Sequence, residues 1–226
     1  MTQPLAFGAA APPAAVVLTG RYGQVEKLDP ARHVAALWEA VKVEPGLWDY
    51  MPYGPFADAQ AFQSWLSERA LLNDPYVYAV VNPDGCAAGL AALMAIRPDM
   101  GVIEVGHIAY APDLQRTRLG TEAQYLLARY AFETLGYRRY EWKCNARNAA
   151  SRRAAERYGF TFEGIFRQHM IVKGKNRDTA WFSILDSEWP ARKAAFESWL
   201  EPANFDSQGR QRVALAAFMA ASGLMS

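Results

Sequence analysis

Apolar residues recur along the chain with two periods, the two-residue period of a strand and the 3.6-residue period of a helix. In the first 100 residues this pattern predicts one strand and then a hairpin, with two helices between them. The predicted strands lie at 22–28, 76–81 and 87–96. Asp29 and Asp58 stand where the N-caps of the two helices are expected, because a short polar side chain can accept from the first free backbone N–H groups.

The same pattern divides the C-terminal half into a strand, a long helix, a second strand and a hairpin, followed by two more helices. The predicted segments are a central strand at 102–110, the main helix at 121–135, a strand at 138–143, a short helix after Asn148, hairpin strands at 160–172 and 179–185 joined by a basic turn at 173–178, and helices at 189–200 and 211–219. Gly136 suits the left-handed position after the main helix. Strands that alternate with helices predict a mixed α/β sheet.

Composition indicates where one domain begins and ends. Residues 1–19 are rich in alanine and proline and lack a basic stretch before their apolar run, so they predict a flexible N-terminal arm rather than a signal peptide. Residues 20–188 form the predicted domain. The two helices of 189–226 are expected to pack as an extension on the core or on a partner subunit, and a homodimer is a further prediction.

Charge and composition exclude several classes of function. The 226 residues are 51% hydrophobic and 21% charged with a net charge of +1, which is typical of a globular domain and provides no general basic field for nucleic acid. No apolar run approaches the roughly 20 residues that span a membrane. The two cysteines, Cys86 and Cys144, have no metal-ligand spacing and predict a reducing, cytoplasmic setting without a metal.

The most informative segment runs from Pro112 to Ala123, where the central strand leads through a loop directly into the main helix. The first turn of a helix leaves backbone N–H groups without partners and carries the positive end of the helix dipole. A strand–loop–helix unit of this kind is therefore suited to binding a pyrophosphate.

This segment and the motifs after it come in a recognisable order. The order is Gln115-x-x-x-x-Gly120-Thr-Glu-Ala, a helix, a strand, Asn148-x-x-Ser151, a helix, Gly159-Phe160 and a hairpin. Together they resemble the GCN5-related N-acetyltransferases (GNAT), and within them the RimJ/RimL-like branch that acetylates N-terminal amines of ribosomal proteins. The resemblance covers residues 20–188 and implies a splayed mixed sheet flanked by helices, with the two C-terminal helices as additions. It also implies acetyl-CoA, or another acyl-CoA, as donor and a primary amine as acceptor, in direct attack within a ternary complex.

The resemblance assigns the grip on acetyl-CoA to the loop and the first helical turn. Backbone N–H groups and the Thr121 hydroxyl are the expected donors, and the residues concerned are Gln115, Arg116, Thr117, Arg118, Leu119, Gly120 and Thr121. Arg118 replaces the first glycine of the family's loop, which predicts weaker binding, because arginine adopts a positive φ less easily than glycine. Its guanidinium is expected either to meet a phosphate oxygen or to remain solvated.

Ser151 is the predicted general acid, because the branch places a serine here near the cofactor sulfur. A first-turn serine that bonds only to the backbone is the alternative. The tyrosine acid of many other family members is absent, since its position is Ala155. Asn148 is expected to cap the helix that follows and also to contact the pantetheine arm. Tyr158 is predicted to be a packed core residue.

The base that takes the amine proton stays open between two strand residues. Alternation along the central strand places Glu104 on the face of Gly106 and opposite His107. Burial would raise the pKa of Glu104 and make it a better base, whereas the pKa of a histidine is already near neutral. His169, on the later hairpin, is predicted to be structural. Met170 stands where the branch has its own acid/base carboxylate.

Two further site elements are expected from the resemblance. Backbone N–H groups near Ala109 and Tyr110 would stabilise the oxyanion where the central strand parts from its neighbour. The aromatic loop that contains Trp48, Tyr50 and Tyr53 would border the acceptor cleft. The alternative for this loop is a satellite hydrophobic cluster.

Other classes of function remain possible at this stage. The altered loop and the absent tyrosine and carboxylate also suit a non-catalytic acyl-CoA-binding or regulatory protein with a degenerate site, or a purely structural interaction protein. A covalent route through Cys144 is not favoured, because no histidine base is adjacent to it in the sequence.

Overall fold

The computed structural model describes residues 7–221, which form one mixed eight-stranded sheet with helices on both faces. The strands are β1 (Val17–Thr19), β2 (Gln24–Lys27), β3 (Tyr76–Val81), β4 (Ala87–Arg97), β5 (Val102–Tyr110), β6 (Arg139–Asn145), β7 (Thr161–Val172) and β8 (Lys175–Leu185). Their order across the sheet is β1-β2-β3-β4-β5-β6-β8-β7. All neighbours are antiparallel except β5 and β6, so the predicted mixed α/β sheet is confirmed.

The α-helices are α1 (Pro30–Val41), α2 (Ala59–Ala70), α3 (Arg118–Arg129), α4 (Ala149–Arg157), α5 (Trp189–Leu200) and α6 (Leu215–Ala221). The predicted N-caps are confirmed, because Asp29 accepts from Ala31 N at 3.0 Å and Asp58 accepts from Ala61 N at 2.8 Å. No helix in the described part of the chain is long and apolar enough to cross a membrane.

The main helix begins three residues earlier than predicted. Thr117 is its N-cap, and the Thr117 hydroxyl accepts from Gly120 N at 3.0 Å, so the first helical residue is Arg118. After Arg129 the chain continues as a π-helical turn, Tyr130–Thr134. The predicted left-handed residue is confirmed, since Gly136 has a φ of +78°.

Each face of the sheet carries a hydrophobic core. One core lies between the sheet and α3, α4 and α5, and the other lies under α1 and α2. Within the first core α5 lies against α3, where the ring of Trp189 stacks on Tyr125 at 6.2 Å and on Phe132 at 5.1 Å. Of the two predicted sites for the C-terminal extension, α5 therefore occupies the chain's own core.

The N-terminal segment differs from the predicted flexible arm. From Phe7 onward it lies against the body of the chain, with Ala10 N donating to Pro98 O and Ala11 N to Leu135 O. It then adds β1 as an edge strand, which the sequence pattern did not predict. Residues 1–6 lie outside the described residues.

Two local features of the sheet shape the site. The strands β5 and β6 pair only from Val102↔Arg139 to Glu104↔Glu141, and beyond that point they part, so the implied splay is present. The β7–β8 hairpin turns on two residues, Lys173 and Gly174, which both have a positive φ. The predicted six-residue basic turn is therefore wrong, because pairing continues as far as Val172↔Lys175.

Candidate active site

The loop between β5 and α3 presents unpartnered backbone N–H groups beside the splay. Among residues 7–221 none accepts from the N–H groups of Arg116, Arg118 or Leu119. Arg116 has a φ of +63°, which turns the chain sharply before the helix. A Cβ at Gly120 would lie 2.5 Å from the carbonyl oxygen of Leu114, so glycine allows the loop to close tightly on the helix. Three free donors at a helix N-terminus fit a pyrophosphate.

Arg118 is not simply solvated, and its contact with a phosphate stays a prediction. Its guanidinium lies over two aromatic rings, 4.7 Å from the ring of Tyr22 and 5.1 Å from that of Phe205. Its backbone belongs to the right-handed α3, and the left-handed residue of the loop is Arg116. The expected strain from replacing glycine at position 118 is therefore wrong. The stacking was missed because its partners are about a hundred residues away in each direction.

Two of the other predicted cofactor residues use their side chains within the protein. The Thr121 hydroxyl is buried, donates to Thr117 O at 3.1 Å and accepts from Arg157 Nη1 at 3.2 Å. Its proton is therefore already used within the protein, whereas the resemblance implied that it is donated to the cofactor. The Gln115 side chain donates to Tyr110 O at 2.9 Å. Ala109 and Tyr110 end β5 beyond the point where β5 and β6 part, which places them at the splay as predicted.

Ser151 is held in place by contacts from two other elements. Its backbone N–H donates to Asn148 Oδ1 at 3.0 Å, which confirms Asn148 as the N-cap of α4. Its hydroxyl oxygen accepts from the indole Nε1 of Trp142 on β6 at 3.0 Å. The alternative of a serine that bonds only to backbone is therefore wrong. Cys144 lies nearby, and burial raises the pKa of its thiol.

Glu104 is not a free carboxylate. It is buried, and its Oε2 accepts from Lys143 Nζ at 2.7 Å, while Lys143 also contacts Glu141 at 2.7 Å. Burial raises the pKa of Glu104, and the charge of Lys143 acts in the opposite direction. The role of Lys143 was not predicted, although its two-residue spacing from Glu141 on one strand face is a signal in the sequence.

His107 lies at a bulge that breaks the alternation of β5. The register passes from Ala92↔Gly106 to Leu90↔Ala109, and His107 has a φ of +50°. Ile108 therefore packs on the α3 side, whereas His107 stacks on Tyr53 on the α2 side, with the ring centroids 5.6 Å apart. Glu104 lies opposite Met94 in the β4–β5 register, before the bulge, and its side chain is on the α2 side as well. The prediction that Glu104 and His107 occupy opposite faces is wrong.

The environment keeps His107 neutral. Its Nδ1 is hydrogen-bonded to Tyr53 Oη at 2.6 Å. Burial, together with the positive charges of Arg69 and Arg177 and against the opposing charge of Asp74, lowers the pKa of His107 to about 4. Burial also raises the pKa of Tyr53, so the phenol stays protonated. His169, predicted to be structural, is hydrogen-bonded through Nδ1 to Thr179 Oγ1 at 3.0 Å.

The aromatic loop divides between packing and the cleft. Trp48 is 2% exposed and belongs to a ring cluster under the loop, so the satellite-cluster alternative describes it better than the acceptor contact. The rings that it contacts are those of Tyr53, Phe56, Phe62 and Trp65. Tyr50 is 39% exposed, and its hydroxyl donates to Arg147 O at 3.3 Å. Of the three predicted acceptor residues, Tyr53 contacts His107.

Similarity to known proteins identifies the family to which this fold and site belong. The family model for an acetyltransferase (GNAT) domain matches residues 25–161, more than half of the chain. The chain therefore belongs to the GNAT acetyltransferase family, as the resemblance implied, and it is an enzyme of that family. Among its described residues no group of three or more His, Cys, Asp or Glu side chains is arranged to hold a metal ion.

Similar proteins support the same family. A GCN5-related N-acetyltransferase structure from Brucella melitensis is 47% identical with a TM-score of 0.93, over 95% of this chain and 99% of that one. A GNAT-family structure from Chromobacterium violaceum ATCC 12472 is 43% identical with a TM-score of 0.79, over 84% and 98%. A Bacillus subtilis (strain 168) protein named "Putative ribosomal N-acetyltransferase YdaF" is 30% identical over 129 residues, which cover 57% of this chain and 69% of that protein.

Proposed function

We propose that this protein acetylates a primary amine, on a protein N-terminus or a small molecule, with acetyl-CoA as donor and by direct attack in a ternary complex. One observation carries the proposal: β5 and β6 part beside a helix whose first N–H groups have no partner within residues 7–221. A gap between parallel strands can accept an extended chain, and the helix N-terminus can bind the phosphates at its end.

The N–H groups of Arg116, Arg118 and Leu119 would hold the pyrophosphate of acetyl-CoA or of another acyl-CoA. When bound, the donor supplies an activated acetyl thioester, from which an N–C bond forms on the amine as the C–S bond breaks. RimL in complex with coenzyme A has the same fold at 19% identity and a TM-score of 0.65, which is compatible with this placement.

Ser151 is the proposed general acid. Because the indole N–H of Trp142 occupies one lone pair of Oγ, the hydroxyl proton points away from Trp142; Cys144 is its neighbour within the protein, and the departing sulfur would take the place of that contact when the proton is donated. Water can then restore the proton on Oγ. Cys144 next to it keeps its own proton because burial raises the pKa of the thiol, and this favours direct attack over an acyl-cysteine route.

His107 is the proposed base. It is neutral at physiological pH, and when Nδ1 donates to Tyr53 Oη, the lone pair of Nε2 can accept a proton; because a pKa of about 4 makes the ring a weak base, it would take the proton from the nitrogen after the N–C bond has formed, when that N–H is acidic, and the amine must enter uncharged. Glu104 is the weaker candidate, because Lys143 already occupies and neutralises its carboxylate. We assign Glu104 the role of positioning Lys143.

A pair of substitutions at the first residue of α3 tests the cofactor site. Arg118→Pro removes one free N–H at a position where helices tolerate proline, and Thr117 already has the extended backbone that precedes a proline (φ −89°, ψ 169°). Arg118→Ala is the matched control, because it loses the same side chain and keeps the N–H.

In calorimetric titration with acetyl-CoA, Arg118→Pro is expected to bind about tenfold more weakly than Arg118→Ala, since one charge-assisted hydrogen bond is lost. Equal affinities of the two variants would exclude this N–H from the site. Absence of binding to the unmodified protein would overturn the proposed function itself.

A further inference from the structure

The sheet face that carries His107 also carries a balanced network of ion pairs. Three cations and three anions contact one another with nitrogen–oxygen distances from 2.5 to 3.7 Å. They are Arg97, Arg139, Lys143, Glu104, Glu141 and Glu163. Because the charges cancel, this network leaves no net charge to attract a ligand.

Two arginines beside this network have no acidic partner. Among residues 7–221 no carboxylate lies within 4.0 Å of the guanidinium of Arg69 or of Arg177. Arg177 is partly buried, and its Nε donates to Thr179 Oγ1 at 3.2 Å. Arg69 on α2 has its Nε shielded from solvent without a hydrogen-bond partner. A partly desolvated, unpaired guanidinium is costly unless an anion binds to it.

Arg177 on β8 and Arg69 on α2 lie on the same side of the sheet as His107, and these two elements form the walls beside it. On β8, alternation places Arg177 on the face of Trp181, whose ring lies 4.2 Å from Lys143 Nζ. On α2, Arg69 lies one helical turn after Trp65, whose ring packs on Tyr53 with the centroids 4.5 Å apart. The charges of Arg69 and Arg177 both act on His107 in the direction that lowers its pKa, and the charge of Asp74 acts in the opposite direction.

The two walls are also joined above the cleft. Lys173, in the turn of the β7–β8 hairpin, donates through Nζ to Trp48 O in the aromatic loop at 2.8 Å. Tyr50 in the same loop donates to Arg147 O, after β6. These contacts join the aromatic loop to the β7–β8 turn and to the chain after β6, which favours a small acceptor over the terminus of a folded protein.

We propose that the acceptor is a small amine that also carries a carboxylate, as a free amino acid does, with the carboxylate on Arg177 and Arg69 and the amine at His107. The inference rests on the proposed function, whose acceptor it narrows. The planar guanidinium presents parallel N–H donors that match a carboxylate. An amine without this group leaves both arginines unpaired, and such a site discriminates strongly against it.

The test compares each of the twenty free amino acids with its amino acid amide, which keeps the side chain and the amine but neutralises the carboxylate. Acetylation is followed as thiol release from acetyl-CoA, and binding is followed as the shift in melting temperature that each compound causes in the presence of CoA. For at least one amino acid we expect kcat/KM at least about tenfold above that of its amide. Arg177→Gln should raise KM for that amino acid about tenfold and so reduce the ratio of its kcat/KM to that of its amide.

Arg210→Gln is the matched control, because Arg210 is 73% exposed and pairs with Asp206 outside the cleft. Equal or faster acetylation of the amides, or an unchanged preference in Arg177→Gln, would overturn the inference. If acetyl-CoA binds but no amino acid is acetylated, the inference is wrong, and peptides with free N-termini then test the proposed function separately. Failure of acetyl-CoA to bind would overturn both.

Discussion

The proposed general acid depends on three side chains from three separate elements. Ser151 lies in the first turn of α4, Asn148 caps that turn, and Trp142 on β6 contacts the hydroxyl through its indole N–H. A hydroxyl that accepts a hydrogen bond from a fixed donor has its own proton directed elsewhere. The arrangement therefore orients a proton before any substrate binds.

Ser151→Ala is expected to lower kcat by about a hundredfold, because it removes a positioned proton donor, without changing KM for acetyl-CoA. Steady-state kinetics with a saturating acceptor measures this separation. Trp142→Phe is the comparison, since it keeps the Ser151 hydroxyl and removes the N–H that orients it; it also removes a ring that packs on Tyr158 and Phe160, and urea unfolding measures that separate loss of stability. An unchanged kcat in Ser151→Ala would assign the proton to water.

At the scale of elements, the start of α3 is where folding and the proposed cofactor site depend on the same residues. Thr117 and Gly120 form its cap, and Gly120 lies against the carbonyl of Leu114. Substitutions at Gly120 therefore act first on folding, because the atom that a side chain would meet belongs to the backbone and cannot rotate away. A carboxylate introduced there would not report on phosphate binding alone.

Gly120→Ala is expected to lower the free energy of unfolding by about 2 kcal/mol, since the new Cβ would lie 2.5 Å from Leu114 O. Gly136→Ala is the comparison, because it has open space around it and only the strain of a positive φ, worth about 1 kcal/mol. Urea unfolding of both variants measures the two costs. A gain in stability for Gly120→Ala, as helix propensity alone predicts, would contradict the tight closure.

At the scale of the whole molecule, burial of His107 makes stability depend on pH. The pKa of His107 is lowered from 6.5 to about 4 in the folded protein. Above pH 6.5 the ring is neutral in both states. As pH falls below 6.5, His107 binds a proton in the unfolded state, but in the folded state it binds one only near pH 4. The free energy of unfolding therefore decreases between pH 6.5 and about pH 4.

His107→Gln should remove this loss. Between pH 7 and pH 4.5 the wild-type protein is expected to lose about 2 kcal/mol more unfolding free energy than the variant, as the shift in pKa requires. Urea unfolding at the two pH values measures the difference. The contribution of the carboxylates to the pH dependence is the same in both proteins and cancels. Equal losses in the two proteins would show that His107 is protonated as easily when folded as when unfolded.

The C-terminal segment also acts across the molecule. Phe205, far from α3 in sequence, packs edge to face with Tyr22, and both rings contact the guanidinium of Arg118 at the cofactor loop. The extension thus braces the loop in which the unpartnered N–H groups lie. Whether two chains associate stays a prediction.

The sequence predicted most elements, because their signals are local. Apolar periodicity located the strand Val102–Tyr110 and the helix Trp189–Leu200 at their observed bounds, and polar caps located α1 and α2. The start of α3 was predicted three residues late, at Thr121, because the Thr117 cap was not recognised in the sequence. The faces of Glu104 and His107 were misassigned because one bulged residue inverts every later position on a strand.

The sequence by itself determined the family and the order of the elements after β1, because motifs, caps and apolar periods depend on neighbours along the chain. The tertiary structure alone decided the contacts: Lys143 neutralises Glu104, aromatic rings surround Arg118, and Arg69 and Arg177 remain unpaired beside His107. Charge and packing act through space between residues far apart in sequence. Their outcome therefore depends on the register of the sheet, which only the folded chain fixes.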